Sequence, residues 1–469
     1  MKNKIYLLIS VIMIAIFGYL LISFNNQRNI DVDPISNSKS LPIPTLLKPS
    51  DLDSGFTEYY LTAQVGTTNF IGDKQTPTMG YNGSFLGPVV KVTKGEAIRM
   101  HITNDLQDDT SVHWHGLEVE GSADGGPHQV IESGSTWQPS FTINQPASTL
   151  WFHPHVIGTT ATQVYYGLAG LIIIEDDNSK SLNLPDDYGI NDIPLIIQDR
   201  SFNQDGTFLY DDNMMDGVYG DYIIVNGAIT PYLDVDQTKM RFRVLNGANA
   251  RNFSLRLSDD SEFYQIASDG GLLEKPLMRD SLFIVPGERI EIVVDFAKYS
   301  EGDIIKLFND NELVMTFNVK NKVIDNTVIP EVLSAIEKLD EKLVTRVKTI
   351  ELDGMGHMVT LNGRKFDINR TDDNVVLGDT EIWEISTNRA MMMQSSGHPF
   401  HIHGTQFQIL SRDGKEPEDS EKGWKDTVFV RAGETVRIIV KFKYKGMFMY
   451  HCHILEHEEA GMMGQLVVE

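Results

Sequence analysis

Among its 469 residues the chain has one cysteine, Cys452. It can form no internal disulfide, and no cysteine near the N-terminus is available for lipidation. Basic side chains are also scarce, with 40 Lys and Arg against 65 Asp and Glu and a formal charge of -25. That balance excludes an ordinary nucleic-acid or anionic-lipid surface and suits neutral or cationic small molecules. Histidine is missing from about residue 185 to 320, although the chain holds 13. No Ala-x-Ala-like cleavage site follows the apolar run at the N-terminus, and no twin-arginine pair precedes it.

That run extends from Ile5 to Phe24 behind Lys2 and Lys4, and about 20 apolar residues cross a bilayer. The lysines would stay inside. The pattern favours an uncleaved helical anchor in residues 1–25, with the rest of the chain outside the cytoplasm, over a cleaved signal and a secreted protein. Residues 26–52 are polar and proline-punctuated, as a tether would be.

Three stretches repeat one pattern: VTKGEAIRMHITN (92–104), VPGERIEIVVDF (285–296) and VRAGETVRIIVKF (430–442). Each is a glycine turn, an acid and an alternating strand, which argues for duplicated β-sandwich or barrel domains. The expected division is 53–178, 179–325 and 347–469, with a linker over 326–346 in which PEVLSAIEKLDEKLV (330–344) has helical spacing. A second repeat relates only the first and last domains. VHWHGLEV (112–119) lies over PFHIHGTQFQIL (399–410), and LWFHPHVIGTTATQVYYGLAGLIIIE (150–175) over FMYHCHILEHEEAGMMGQLVVE (448–469).

These motifs gather His113 and His115, His153 and His155, His398, His401 and His403, and His451, His453 and His457. On a strand, His-x-His aims both imidazoles at one face, so two neighbouring nitrogens can meet a metal. Pairs from two related domains can meet where the domains pack and hold metal ions that neither holds alone. Cys452, between His451 and His453, then points its sulfur to the opposite side, into its own domain or onto a second metal. With His398, His457 and Met462 it makes the two-histidine, thiolate and weak thioether set of a blue-copper electron-transfer site. Zinc gains little from a lone thioether, so copper is favoured. Cys452 would give an electron a short covalent route to His451 and His453.

HWHG, HPH, HPFHIHG and HCHILEHEEAGMM together resemble the multicopper oxidase family, over nearly everything from about residue 55 onward. The chain is similar to the three-domain bacterial branch with copper-efflux oxidases and spore-coat laccases. The resemblance implies an all-β fold of three cupredoxin-like Greek-key sandwich or barrel domains and about four coppers. It implies His398, Cys452, His457 and Met462 for type 1 copper, and His113 and His401 for type 2. It implies His115, His153, His155, His403, His451 and His453 for a type 3 pair. Pro154 stands where the last domain has Cys452, so no type 1 site is implied in the first domain. Asp124 and Glu458 correspond to the family's acidic proton relay; read alone, the first is a turn residue and the second a solvated acid. A relative can lose its coppers and persist as a scaffold, but every ligand position is filled here. A copper-storage protein would use histidine and methionine without needing the Cys452 bridge. Trp114 and Trp151 read as packing, and His101, His128 and His357 as structural.

The implied reaction is one-electron oxidation of a donor coupled to reduction of dioxygen to water, in a monomer contributing to copper homeostasis. The candidate donors are phenols and aromatic amines, or cuprous or ferrous ions. Copper-efflux oxidases cover the type 1 edge with a long methionine-rich insertion, whereas ELDGMGHMVTLNGRKF (351–366) is short and Gln394 replaces an acid. An open edge favours laccase-like breadth. Glu118, Glu459, Met355 and Met358, with the run Met391, Met392 and Met393, keep a dedicated cuprous oxidase or a ferroxidase open as the alternative.

Overall fold

The computed structural model describes residues 39–50, 55–212, 215–387 and 397–469. The apolar run from Ile5 to Phe24, Met391, Met392, Met393 and Gln394 lie outside the described residues. No helix among the described residues is long and apolar enough to cross a membrane.

Three units follow one another, each a pair of sheets around its own core. The first pairs a five-stranded with a four-stranded sheet, the second an eight-stranded with a five-stranded one, and the third two five-stranded sheets. The repeat seen in sequence is also a repeat in pairing. Thr57–Thr68 runs parallel to Ala97–Asn104, Asp192–Phe202 to Lys239–Asn246, and Val344–Asp353 to Thr380–Thr387. The three turns share an acid clamp as well. Glu96, Glu288 and Glu434 each accept from the backbone N–H three residues back, at Thr93, Val285 and Arg431, each at 2.9 Å. The clamp satisfies a backbone donor that the turn would otherwise leave open.

The strands differ where their surroundings differ. Ala97–Asn104 alternates buried with half-buried residues, as a strand with one solvated face should. Arg289–Asp295 is buried at six of its seven positions because the first and third units cover what would be its outer face. Charged residues there are paired: Arg243 binds Asp192 at 2.7 Å and Glu291 at 3.0 Å, Glu291 also binds Arg241, and Thr149 of the first unit joins them.

Two expectations need correction. The stretch 330–344 is not a helix: it has no regular secondary structure up to a 3₁₀ turn at Glu341–Leu343, and Val344–Asp353 is a strand. A lone helix of that length is marginal in water, and the backbone finds other partners. Leu333 N–H donates to Glu274 O at 2.9 Å, its carbonyl accepts from Asn178 at 2.8 Å, and Leu339 N–H donates to Gln408 at 2.9 Å. Leu333 is 1% exposed while Val332 is 69% exposed, so one side chain anchors the strap. Residues 39–50 are likewise no free tether. Leu41 N–H bonds Tyr232 O, Pro42 and Pro44 carbonyls accept from Asn226 and Tyr188, and Leu47 N–H bonds Val89 O. Prolines hold this segment extended, leaving its carbonyls free to accept.

Leu333→Ala is expected to lower the thermal midpoint, since emptying such a site costs about 2–5 kcal/mol. Far-UV circular dichroism should show no gain of helix. An unmoved midpoint with added helix would contradict the non-helical strap.

Candidate metal centre

The two inner sheets bring the His-x-His motifs together as adjacent strands. In the first unit His113 lies opposite His153 and His115 opposite Trp151; in the third His401 lies opposite His451 and Phe400 opposite Cys452. Strand alternation sends the imidazoles to the shared interface and Cys452 into the core of the third unit.

Eight histidines meet there, all at most 1% exposed. His155, His403 and His451 form one group, with Nε2 of His451 lying 3.1 Å from that of His155 and 3.0 Å from that of His403. His115, His153 and His453 form a second. His113 and His401 approach with their Nε2 atoms 3.4 Å apart. Two nitrogens bound at about 2.0–2.1 Å to one ion sit roughly 3.3 Å apart, so these separations fit shared metals. Among the described residues His115 Nδ1, His153 Nε2 and both nitrogens of His453 have no hydrogen-bond partner. Such buried orphans are costly without a cation.

The outer nitrogens are fixed by oxygen. His113 Nδ1 donates to Asp124 O at 3.1 Å and His401 Nδ1 to Asp426 O at 2.8 Å. His153 Nδ1 bonds Pro154 O at 2.8 Å and His451 Nδ1 bonds Cys452 O at 2.9 Å. Such bonds select the tautomer that turns the other nitrogen to the metal. Asp124 Oδ2 takes His403 Nδ1 at 2.8 Å. Glu458 lies 3.5 Å from His155 Nδ1 and 3.2 Å from His451 Nδ1. Burial, then the neighbouring Glu459 and Glu456, push the Glu458 carboxyl well above its ordinary range.

On the other face of the same strand Cys452 Sγ lies 3.5 Å from His398 Nδ1 and 3.9 Å from His457 Nδ1, and accepts Ile454 N–H at 3.4 Å. Met462 is fully buried in the same core, its carbonyl accepting Cys452 N–H at 3.1 Å. Burial pushes the Cys452 thiol up, so in the copper-free chain it stays protonated until a metal displaces the proton.

The suggested donor residues separate. Met355 precedes and Met358 ends the 3₁₀ turn Gly356–Met358, which packs on the short helix carrying His457. Met355 is buried and Met358 is 75% exposed. Glu459 accepts Ala161 N–H at 2.8 Å and lines a cavity of about 130 Å³ with Glu458, His155 and Lys365. Glu118 is paired with Lys443 at 2.8 Å in a different cavity, at the junction of the three units. Trp114 packs against Phe152 and Trp137, while Trp151 stacks on His153 at 4.1 Å. His101 binds Glu58 at 3.0 Å, His128 binds Gln465 at 2.8 Å, and the His357 carbonyl accepts Lys365.

Sequence reasoning missed what the histidine-free unit contributes. Met215 O accepts His457 Nε2 at 3.1 Å and Gly356 N–H at 2.7 Å, capping the outer edge of that imidazole. Tyr210 and Asn249 hold Glu456 on the helix between the two metal groups, at 3.1 and 2.8 Å. Asp426 was missed as well, although it is the counterpart of Asp124 in the duplication.

Burial first, then other imidazoles, lowers the affinity of these histidines for protons: His398 and His451 fall to about 3 and His457 to about 4 from 6.5. The unfolded chain therefore binds more protons below about pH 6.5, and stability is lost as pH falls through that window. The copper-free protein should show a thermal midpoint dropping between about pH 6.5 and 4; copper loading should delay the drop to lower pH. A flat copper-free profile would contradict buried neutral imidazoles.

Multicopper oxidase family models match residues 62–179, 175–316 and 339–469. A multicopper oxidase of Staphylococcus aureus is 42% identical over 91% of this chain and 92% of its own length. The cell division protein FtsP of Xenorhabdus nematophila is 34% identical over 92% and 93%. The crystal structure of a laccase from Pediococcus acidilactici is 39% identical, with a TM-score of 0.88 over 92% of this chain and 94% of that one. The fold is thus all-β and cupredoxin-like, and the histidine clusters fit type 1, type 2 and type 3 copper sites. With three matched domains and this site, the chain belongs to the multicopper oxidase family and is a copper oxidoreductase.

Proposed function

We propose that His398, Cys452, His457 and Met462 hold type 1 copper, His113 and His401 type 2, and His115, His153, His155, His403, His451 and His453 the type 3 pair. The observation that carries this is the position of Cys452: its side chain belongs to the group with His398 and His457, while its peptide neighbours His451 and His453 belong to the two three-histidine groups of the interface cluster. Bound copper supplies one-electron acceptance from a donor and four-electron delivery to dioxygen. The chain holds the ligands apart from bulk water and connects the two centres by a covalent path through Cys452 to His451 and His453. Asp124, whose Oδ2 holds His403 Nδ1, and the Glu458 carboxyl, both buried against ligand imidazoles, can pass protons inward. Glu458 borders the cavity beside His155, which gives its protons a source.

The donor we favour is a phenol or aromatic amine, oxidised at the His457 edge with laccase-like breadth. The His457 imidazole is capped there by a single carbonyl rather than by a long insertion. A cuprous or ferrous donor is the second reading. Met215, 49% exposed, and Met358 offer soft sulfur beside that edge, and the net acidity favours cations. A part in copper homeostasis, a monomeric state, the domain boundaries set out from sequence, and an anchor in residues 1–25 holding the enzyme outside the cytoplasm complete the proposal.

Oxygen uptake by the copper-loaded chain, with dimethoxyphenol, cuprous ion and ferrous ion at matched concentrations, tests it. The phenol should be consumed at least as fast as either ion, and Cys452→Ser should lose both the blue absorption and turnover. Full turnover in Cys452→Ser would sink the proposed route; consumption of cuprous ion alone would replace the phenol reading with the metal one.

A further inference from the structure

The middle unit meets the histidine cluster through its own copy of the repeated turn. Gly287 approaches so closely that an added Cβ would lie 3.0 Å from His453 and 3.1 Å from His115. Two residues on, Arg289 is fully buried and spreads its guanidinium across all three units. Nε donates to Thr149 O of the first unit at 3.0 Å. Nη1 donates to Gly287 O at 2.9 Å and Nη2 to Asp269 O at 3.1 Å, both in its own unit. Both nitrogens also grip Asp426 of the third unit, Nη1 to Oδ1 at 2.7 Å and Nη2 to Oδ2 at 2.5 Å. The other two copies of the turn carry Ala97 and Thr435 at this position, so the arginine is peculiar to the unit that lacks histidine.

Asp426 is one of two aspartates related by the duplication, and the pair is wired crosswise. Each backbone carbonyl takes Nδ1 of a histidine in its own unit, His113 for Asp124 and His401 for Asp426. Each carboxylate takes a ring nitrogen from the other unit, His403 Nδ1 for Asp124 at 2.8 Å and His115 Nε2 for Asp426 at 3.0 Å. The two differ in what remains. Asp124 Oδ1 is buried without a partner among the described residues, whereas both oxygens of Asp426 are occupied, by Arg289 and further by Thr427 and Gln406.

We infer that Arg289 is a positioning residue for the trinuclear centre: by clamping Asp426 it fixes His115 as the Nε2–H tautomer, turning Nδ1 towards His153 and His453. This rests on the assignment of His115 and His401 as copper ligands. The clamp divides labour between the two aspartates, with Asp426 immobilised as an orienting group and Asp124 left an oxygen free for proton transfer. Only a planar fork can hold both carboxylate oxygens while bonding three carbonyls, so lysine is no substitute.

The test loads full-length Arg289→Met and Arg289→Lys with copper and measures copper per chain under a graded chelator, the electron paramagnetic resonance of the histidine-bound copper, the blue absorption and the copper-free thermal midpoint. The expected result is a blue absorption retained in both variants with copper at the histidine cluster held about 10–100-fold more weakly, and an altered resonance from the His113 and His401 site. A cluster held as tightly as in the parent protein in either folded variant overturns the inference. So does equal loss of both centres together with a lowered copper-free midpoint, which marks Arg289 as structural only. If Arg289→Met does not fold, Arg289→Lys alone decides by the same two criteria. A parent protein that binds copper at the blue site alone would instead overturn the ligand assignment.

Discussion

Eight buried imidazoles packed where the first and third units meet are the constraint on which the structure turns. Taken out of water, with several nitrogens lacking a partner among the described residues, they are unfavourable until cations join them. Neither unit can solve this alone, because each supplies part of every group: His155 with His403 and His451, His115 and His153 with His453, and His113 with His401. Metal binding is therefore coupled to the docking of the units, and the docking must be exact enough to keep nitrogens 3.0–3.4 Å apart.

That demand explains the middle unit. It carries no histidine, yet its strand Arg289–Asp295 is almost wholly buried, and its charged groups tie it to the first unit through a hydrogen bond from Thr149 and to the third through an ion pair with Asp426. Breaking a buried pair by removing one partner costs about 3–5 kcal/mol, so these contacts resist sliding of the units in a way that apolar packing alone would not. The loop around Met215 and the pair Tyr210 and Asn249 extend the same service to the helix that holds His457.

Much of this could be read in the sequence, for a physical reason. Metal ligands need fixed residue types at fixed spacing, and His-x-His on a strand puts both imidazoles on one face; the glycine and acid of each repeated turn are equally stereotyped. Arg289 was invisible because its role depends on partners in the other units, more than a hundred residues away, and an isolated Arg has many ordinary uses. The stretch 330–344 misled because helical spacing counts only when a helix has something to pack against. Here Leu333 is used singly and the backbone is claimed by Glu274, Asn178 and Gln408. Asp426 could have been found by laying the third unit on the first and asking which residue matches Asp124.

The central claim is that electrons collected singly at the Cys452 centre leave together at the histidine cluster. The measurement that tests it most directly is the stoichiometry of donor to dioxygen under limiting donor, with hydrogen peroxide followed at the same time. Four donor electrons per dioxygen, and no peroxide, is the predicted result. Two electrons per dioxygen with peroxide released would contradict it, showing that the clusters do not act as one centre.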